Sequence, residues 1–116
     1  MILSTSVWGD PRGTPVVCLH GLAGHGRRFR RLAEERLGAF RVVGVDYRGH
    51  GRSGWEPPWG VEQHVRDLVE TAEALGIPTA AWVGHSFGGK LICELAARHP
   101  ERVECAVLLD PALHVA

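Results

Sequence analysis

The sequence has few cysteines, no surplus charge of either sign and no long hydrophobic run, and each absence narrows what the chain can be. Thirteen basic residues are matched by 13 acidic ones, for a formal net charge of zero. No electrostatic footprint for nucleic acid or for an anionic membrane follows from that balance. The single basic cluster, Arg27, Arg28, Arg30 and Arg31, is answered by Glu34 and Glu35, as on a solvated helix face. The three cysteines, Cys18, Cys93 and Cys105, are widely spaced, form no C-x-x-C pair and sit among apolar neighbours. They are read as buried free thiols of a reducing compartment, and neither Cys nor His shows zinc-ligand spacing. No apolar stretch is long enough to span a bilayer, and the first ten residues lack the basic start and apolar core of a secretory signal. The expectation is a cytoplasmic protein without metal, cofactor, nucleic acid or membrane partner.

What is present is an alternation of short apolar runs and longer helical patterns over 116 residues, a length for one domain, 1–116. An edge strand is expected over Ile2–Trp8. Buried strands are expected over 15–19, 41–46, 79–84 and 102–110. Helices are expected over 27–37, 61–75 and 86–98, the first two closed by Gly38 and Gly76. Wholly apolar strands separated by helices predict an α/β fold: a three-layer αβα arrangement around a mostly parallel sheet of about five strands.

In such sheets ligands gather at the C-terminal strand ends. Those ends read His20-Gly21-Leu22, Asp46-Tyr47-Arg48-Gly49, His85-Ser86-Phe87-Gly88 and Asp110-Pro111. Gly84-His85-Ser86-Phe87-Gly88 fits G-x-S-x-G directly after a strand and at the start of a helix, the context of a nucleophile elbow. A strand turning straight into a helix forces Ser86 into a strained backbone conformation. Gly84 and Gly88 leave room for it, and Gly89 allows close packing of helix on sheet. The hydroxyl then stands at the positive end of the helix dipole, with the Phe87 N–H aimed at the same place and the Leu22 N–H available as a second donor.

Together His20-Gly21, the turn Asp46-Tyr47-Arg48-Gly49-His50-Gly51-Arg52-Ser53, and Gly84–Gly88 resemble the α/β-hydrolase family, over nearly the whole chain and in the family's order. The resemblance implies Ser86 as nucleophile of an ester-type acyl substrate, with the Leu22 and Phe87 amides as oxyanion hole. It implies that His20 shapes the oxyanion loop and that 46–53 braces the elbow. His25, His50, His64 and His99 are read as surface or turn residues, and Trp55 and Trp59 as packing under a Pro-rich loop. His85 is read as directed away from the nucleophile.

The family's order is Ser, acid, His, yet only 30 residues follow Ser86. The expectation is an incomplete fold lacking C-terminal strands, impaired alone because the triad His and the acid are missing. His99 would stand about 20 Å along the helix from Ser86. Asp110 and His114 keep the family order, but Asp110 is also a turn-starting Asp before Pro111. The strand 103–109, without its neighbour, is an edge expected to self-associate or to accept a complementing segment. Two other readings stay open: a non-catalytic fragment or binding relic of the same fold, and a P-loop nucleotide-binding protein. For the latter, Gly84–Lys90 matches G-x-x-x-x-G-K, but Leu91 stands where Ser or Thr should hold Mg²⁺.

Overall fold

The computed structural model describes residues 1–112. Five strands, β1 (Thr5–Gly9), β2 (Pro15–Leu19), β3 (Arg41–Val45), β4 (Ala80–His85) and β5 (Val103–Leu109), form one sheet in the order β1-β3-β2-β4-β5. Only β1 runs antiparallel, along β3 with Val7 opposite Val43. The parallel register brings Leu19 opposite Val45 on one side and Gly84 on the other, so the strand ends carrying His20, Asp46 and His85 are level. The helices are α1 (Arg30–Arg36), entered through a 3-10 turn Gly26–Phe29, α2 (Val61–Ala74) and α3 (Phe87–Arg98).

Alternation along the buried strands sorts the core into two halves. Val17, Leu19, Val43, Val45 and Trp82 pack with Leu68 of α2 and with Leu91 and Leu95 of α3. Val16, Cys18 and Val42 turn to the other face and meet Phe29 and Ala33. The result is the expected three layers. The basic cluster lies on the outer side of α1, where Arg30–Glu34 and Arg31–Glu35 pair at 3.1 Å as exposed i,i+4 neighbours.

Three expectations need correction. The first strand begins at Thr5 rather than Ile2, because Leu3 and Ser4 give their amides to Thr71 Oγ1 (2.9 Å) and Ser53 Oγ (2.8 Å) instead of to a strand. Only Cys18 is a buried thiol, and burial pushes its pKa up to about 12. Cys93 and Cys105 are exposed: apolar sequence neighbours do not reveal which side of a helix or edge strand a residue occupies. His64, expected at the surface, is buried on the inner side of α2.

The β5 edge is the barest part of the sheet. After half-buried Val103, every residue to Leu109 is exposed, including Val107, Leu108 and Leu109.

Candidate active site

Between the last residue of β4, His85, and the first of α3, Phe87, stands a single residue. Ser86 makes the whole turn, at φ +55° and ψ −111°, a conformation sparsely populated by any residue with a Cβ. Such a junction requires the strand and the incoming helix to touch. A Cβ on Gly84 would lie 2.6 Å from the Gly88 carbonyl carbon, and one on Gly88 would lie 2.8 Å from that of Leu19. The strain is held in place by the backbone around it: Ser86 N–H donates to Leu109 O (3.0 Å), and Ser86 O accepts from Gly89 N–H and Ala112 N–H (3.0 Å each). A junction of one residue also leaves no loop that could encircle a phosphate, so the P-loop reading of Gly84–Lys90 has no cradle here.

The loop after β2 comes up against this turn. A Cβ on Gly21 would meet the Ser86 Cβ at 3.5 Å and His85 Nδ1 at 3.4 Å. The loop is fixed in a tight turn, with Gly24 N–H donating to Gly21 O (3.0 Å) and Ala23 at φ +63°. Leu22 lies exposed beside it, and Phe87 is buried at the start of α3. His20 anchors the loop from beneath. Its Nδ1–H donates to Gly21 O (2.6 Å) and its Nε2 accepts a long bond from Tyr47 N–H (3.4 Å), which fixes the tautomer. The Tyr47 hydroxyl donates to His20 O at 2.6 Å. Burial lowers the His20 pKa to about 4, so the ring is neutral at ordinary pH and serves as a strut.

The turn 46–53 braces the neighbouring strand ends. Asp46 accepts from Gly26 N–H (2.7 Å) and Arg52 N–H (3.0 Å), and Ser53 Oγ donates back to Asp46 O (2.6 Å). Gly51, at φ +50°, folds directly over the Asp46 carboxylate, where a Cβ would collide. Its link to the elbow is aromatic: the Tyr47 and Phe87 rings meet edge to face at 5.9 Å.

Sequence reasoning missed Asp67. Fully buried on α2, it receives Arg48 through Nε and Nη2 (2.9 Å each), Gln63 Nε2 (2.9 Å) and the Met1 ammonium (3.1 Å). Burial works to raise its carboxyl pKa, but these hydrogen bonds outweigh it and hold the group below the usual carboxylate range. The signal was present: Gln63, Asp67 and Thr71 recur at i, i+4 on one side of a helix.

A cavity of about 510 Å³ opens beside the turn, with Leu22 and Phe87 among its walls. Trp55 and Trp59 belong to that wall and are 70% and 47% exposed, so they line an opening rather than pack beneath a loop. His50 and His64 line it too. On the other side of the loop 20–24, His85 faces a smaller cavity of about 250 Å³ with Arg28 and Leu109. Asp110 caps β5 in an exposed position at φ +47°. His114 lies outside the described residues. Among the described residues no side chain is hydrogen-bonded to the Ser86 hydroxyl, and no three His, Cys, Asp or Glu residues gather to hold a metal. No helix among them is long and apolar enough to cross a membrane.

Comparison with known proteins agrees with this geometry. The family model described as "alpha/beta hydrolase fold" matches residues 14–116. Lipase LipV of Mycobacterium tuberculosis is 41% identical over 106 residues, covering 91% of this chain and 40% of its own length. A putative non-heme haloperoxidase of Mycobacterium phage D29 is 45% identical over 105 residues, covering 86% of this chain and 37% of its own. Among solved structures, a marine microorganism esterase superposes with a TM-score of 0.88 at 31% identity, covering 93% of this chain and 41% of that one. The chain thus spans about 40% of the length of the curated relatives it matches.

Proposed function

The chain belongs to the alpha/beta hydrolase fold family, and from that premise we propose that it carries the nucleophile half of a serine hydrolase acting on an ester or related acyl compound. Ser86 Oγ attacks the acyl carbonyl carbon, and the carbonyl electron pair moves onto oxygen. The N–H groups of Leu22 and Phe87 stabilise that oxyanion. Collapse of the tetrahedral intermediate expels the alcohol, and water then releases the acid from Ser86. The Ser86 proton passes to a base outside the described residues, and the same base returns it to the leaving group.

One observation supports this reading above the others. Ser86 occupies a strained left-handed conformation at a one-residue junction, with the backbone of Gly21 against it. Strain of this kind persists where the surroundings over-determine it, and it gathers at reactive positions. The names borne by the relatives, a lipase and an esterase, point to the same chemistry.

Without a base a serine hydroxyl stays protonated near neutral pH, so residues 1–112 by themselves would turn over acyl substrates orders of magnitude below a complete triad. A fluorophosphonate probe tests the assignment. Slow phosphonylation located on Ser86 by mass spectrometry, and lost in Ser86→Ala, is the expected result. Labelling that survives Ser86→Ala, or no labelling during prolonged exposure, would overturn it.

A further inference from the structure

Tyr47 is the chain's single tyrosine and is fully buried, and acyl transfer at Ser86 as described above gives it no part. It follows β3, yet its N–H, its ring and its hydroxyl all engage His20, the first residue past the end of β2. The ring centroids lie 4.0 Å apart, the N–H reaches His20 Nε2 at 3.4 Å, and the hydroxyl donates to His20 O at 2.6 Å. Burial pushes the phenol pKa up, so the hydroxyl keeps its proton and remains a donor.

A buried tyrosine needs an acceptor for its hydroxyl, and any carbonyl within reach would serve. The one taken here opens a run of fixed peptides. The next carbonyl, Gly21 O, accepts from His20 Nδ1–H at 2.6 Å and from Gly24 N–H at 3.0 Å. Across a trans peptide the N–H points opposite to the C=O, so holding Gly21 O on that side turns the Leu22 N–H the other way. Side chains thus set two consecutive peptide planes. Tyr47 fixes the first directly, and the second through the His20 ring that it stacks on and bonds. This is the loop whose backbone stands against the serine turn, where a Cβ on Gly21 would come within 3.5 Å of the Ser86 Cβ.

We propose that Tyr47 is a positioning residue for acyl transfer: its hydroxyl, by holding the His20 carbonyl, sets the direction in which the Leu22 N–H donates. The proposal deepens the hydrolase reading and rests on it for Leu22 as an oxyanion donor. Such a donor is effective only when already aimed at the place where charge develops. Phe87, the other donor, meets Tyr47 ring to ring, edge to face at 5.9 Å, and has no link to the hydroxyl. Loss of the hydroxyl alone therefore disturbs one donor and spares the other, a pattern that general loosening of the fold does not produce.

Tyr47→Phe, which keeps the ring, tests this in the phosphonylated protein, whose phosphonyl oxygen stands in for the oxyanion. In the parent protein the backbone N–H proton resonances of Leu22 and Phe87 should both move downfield when Ser86 is phosphonylated. In Tyr47→Phe the Leu22 response should shrink while the Phe87 response persists. Phosphonylation should also slow about tenfold, part of the roughly 10²–10³ lost with a whole donor. Thr71→Val is the control: it removes a buried hydrogen bond from Leu3 N–H (2.9 Å) on α2 and should change neither the two responses nor the rate. Should Tyr47→Phe not fold, 3-fluorotyrosine in place of the single tyrosine keeps the hydroxyl and supplies a fluorine resonance, which should shift on phosphonylation of Ser86. An unchanged rate and Leu22 response in Tyr47→Phe, equal losses at Leu22 and Phe87, the same losses in Thr71→Val, or a fluorine resonance indifferent to phosphonylation would overturn the proposal. A parent protein that takes up no probe overturns the hydrolase assignment and this role with it. A parent protein phosphonylated at Ser86 without a Leu22 response removes the role alone.

Discussion

Ser86 holds a backbone conformation that costs a residue with a side chain about 1–3 kcal/mol. Glycine enters that region freely, at a smaller entropic cost. Ser86→Gly should therefore raise unfolding stability by about 1 kcal/mol in a denaturant titration, and phosphonylation should be lost with it. Gly88→Ala should act in the opposite direction. Its Cβ would press on the Leu19 carbonyl, which belongs to the central strand and cannot yield, so a loss of about 1–3 kcal/mol is expected. His20 makes stability depend on pH. The unfolded side chain titrates near 6.5 and the folded one near 4, so between those values the unfolded chain holds a proton that the folded chain lacks. Stability is then fully present above pH 6.5 and falls as the pH drops toward 4, and His64 shifts in the same direction. Melting curves across that window should show the decline, and His20→Asn should flatten it. At this scale the strained serine and its glycines were legible in the sequence, because G-x-S-x-G after a strand admits few geometries. The burial of His64 was not, because a lone histidine on a helix declares no side.

Among the elements, α2 departs furthest from its sequence pattern. Its apolar stripe, Val65, Leu68 and Ala72, was legible and does face the sheet. The adjoining polar stripe of Gln63, Asp67 and Thr71 carries the attachment of the segment 46–60 and of the first residues. Asp67→Asn removes the negative charge opposite buried Arg48 and leaves a cation without its counterpart. The melting temperature should fall well beyond the change produced by Glu34→Gln, whose exposed pair with Arg30 contributes almost nothing. Hydrogen exchange should quicken across 47–60 and stay unchanged in β2 and β4. A small effect, equal to that of Glu34→Gln, would show that the loop stands without its ion pair. Charges of this kind are hard to read from a sequence because their partners lie far along it, 19 residues apart in this case. The start of β1 escaped for a related reason: Leu3 and Ser4 have strand-like sequence but spend their amides on α2 and on Ser53.

Across the whole molecule the layered α/β plan was legible because each inner strand is a short unbroken apolar run. The order of strands was not, since parallel neighbours share no turn from which adjacency could be read. The exposed β5 edge gives the clearest prediction at this scale. With Val107, Leu108 and Leu109 in solvent, the polypeptide of residues 1–116 should associate with itself. Its mass by light scattering should climb with concentration, and Val107→Lys should hold it nearer the monomer. A concentration-independent monomer would count against the edge as a sticky surface. The bonds from Leu109 and Ala112 to the Ser86 backbone have a further consequence for the order of events at the ribosome. The central strand β2 must wait for β4 before both its sides are filled, and the serine turn must wait longer still, for residues more than 20 positions downstream of it. During synthesis the Ser86 turn thus gains the bonds that hold it only after β1 to β4 have already been made.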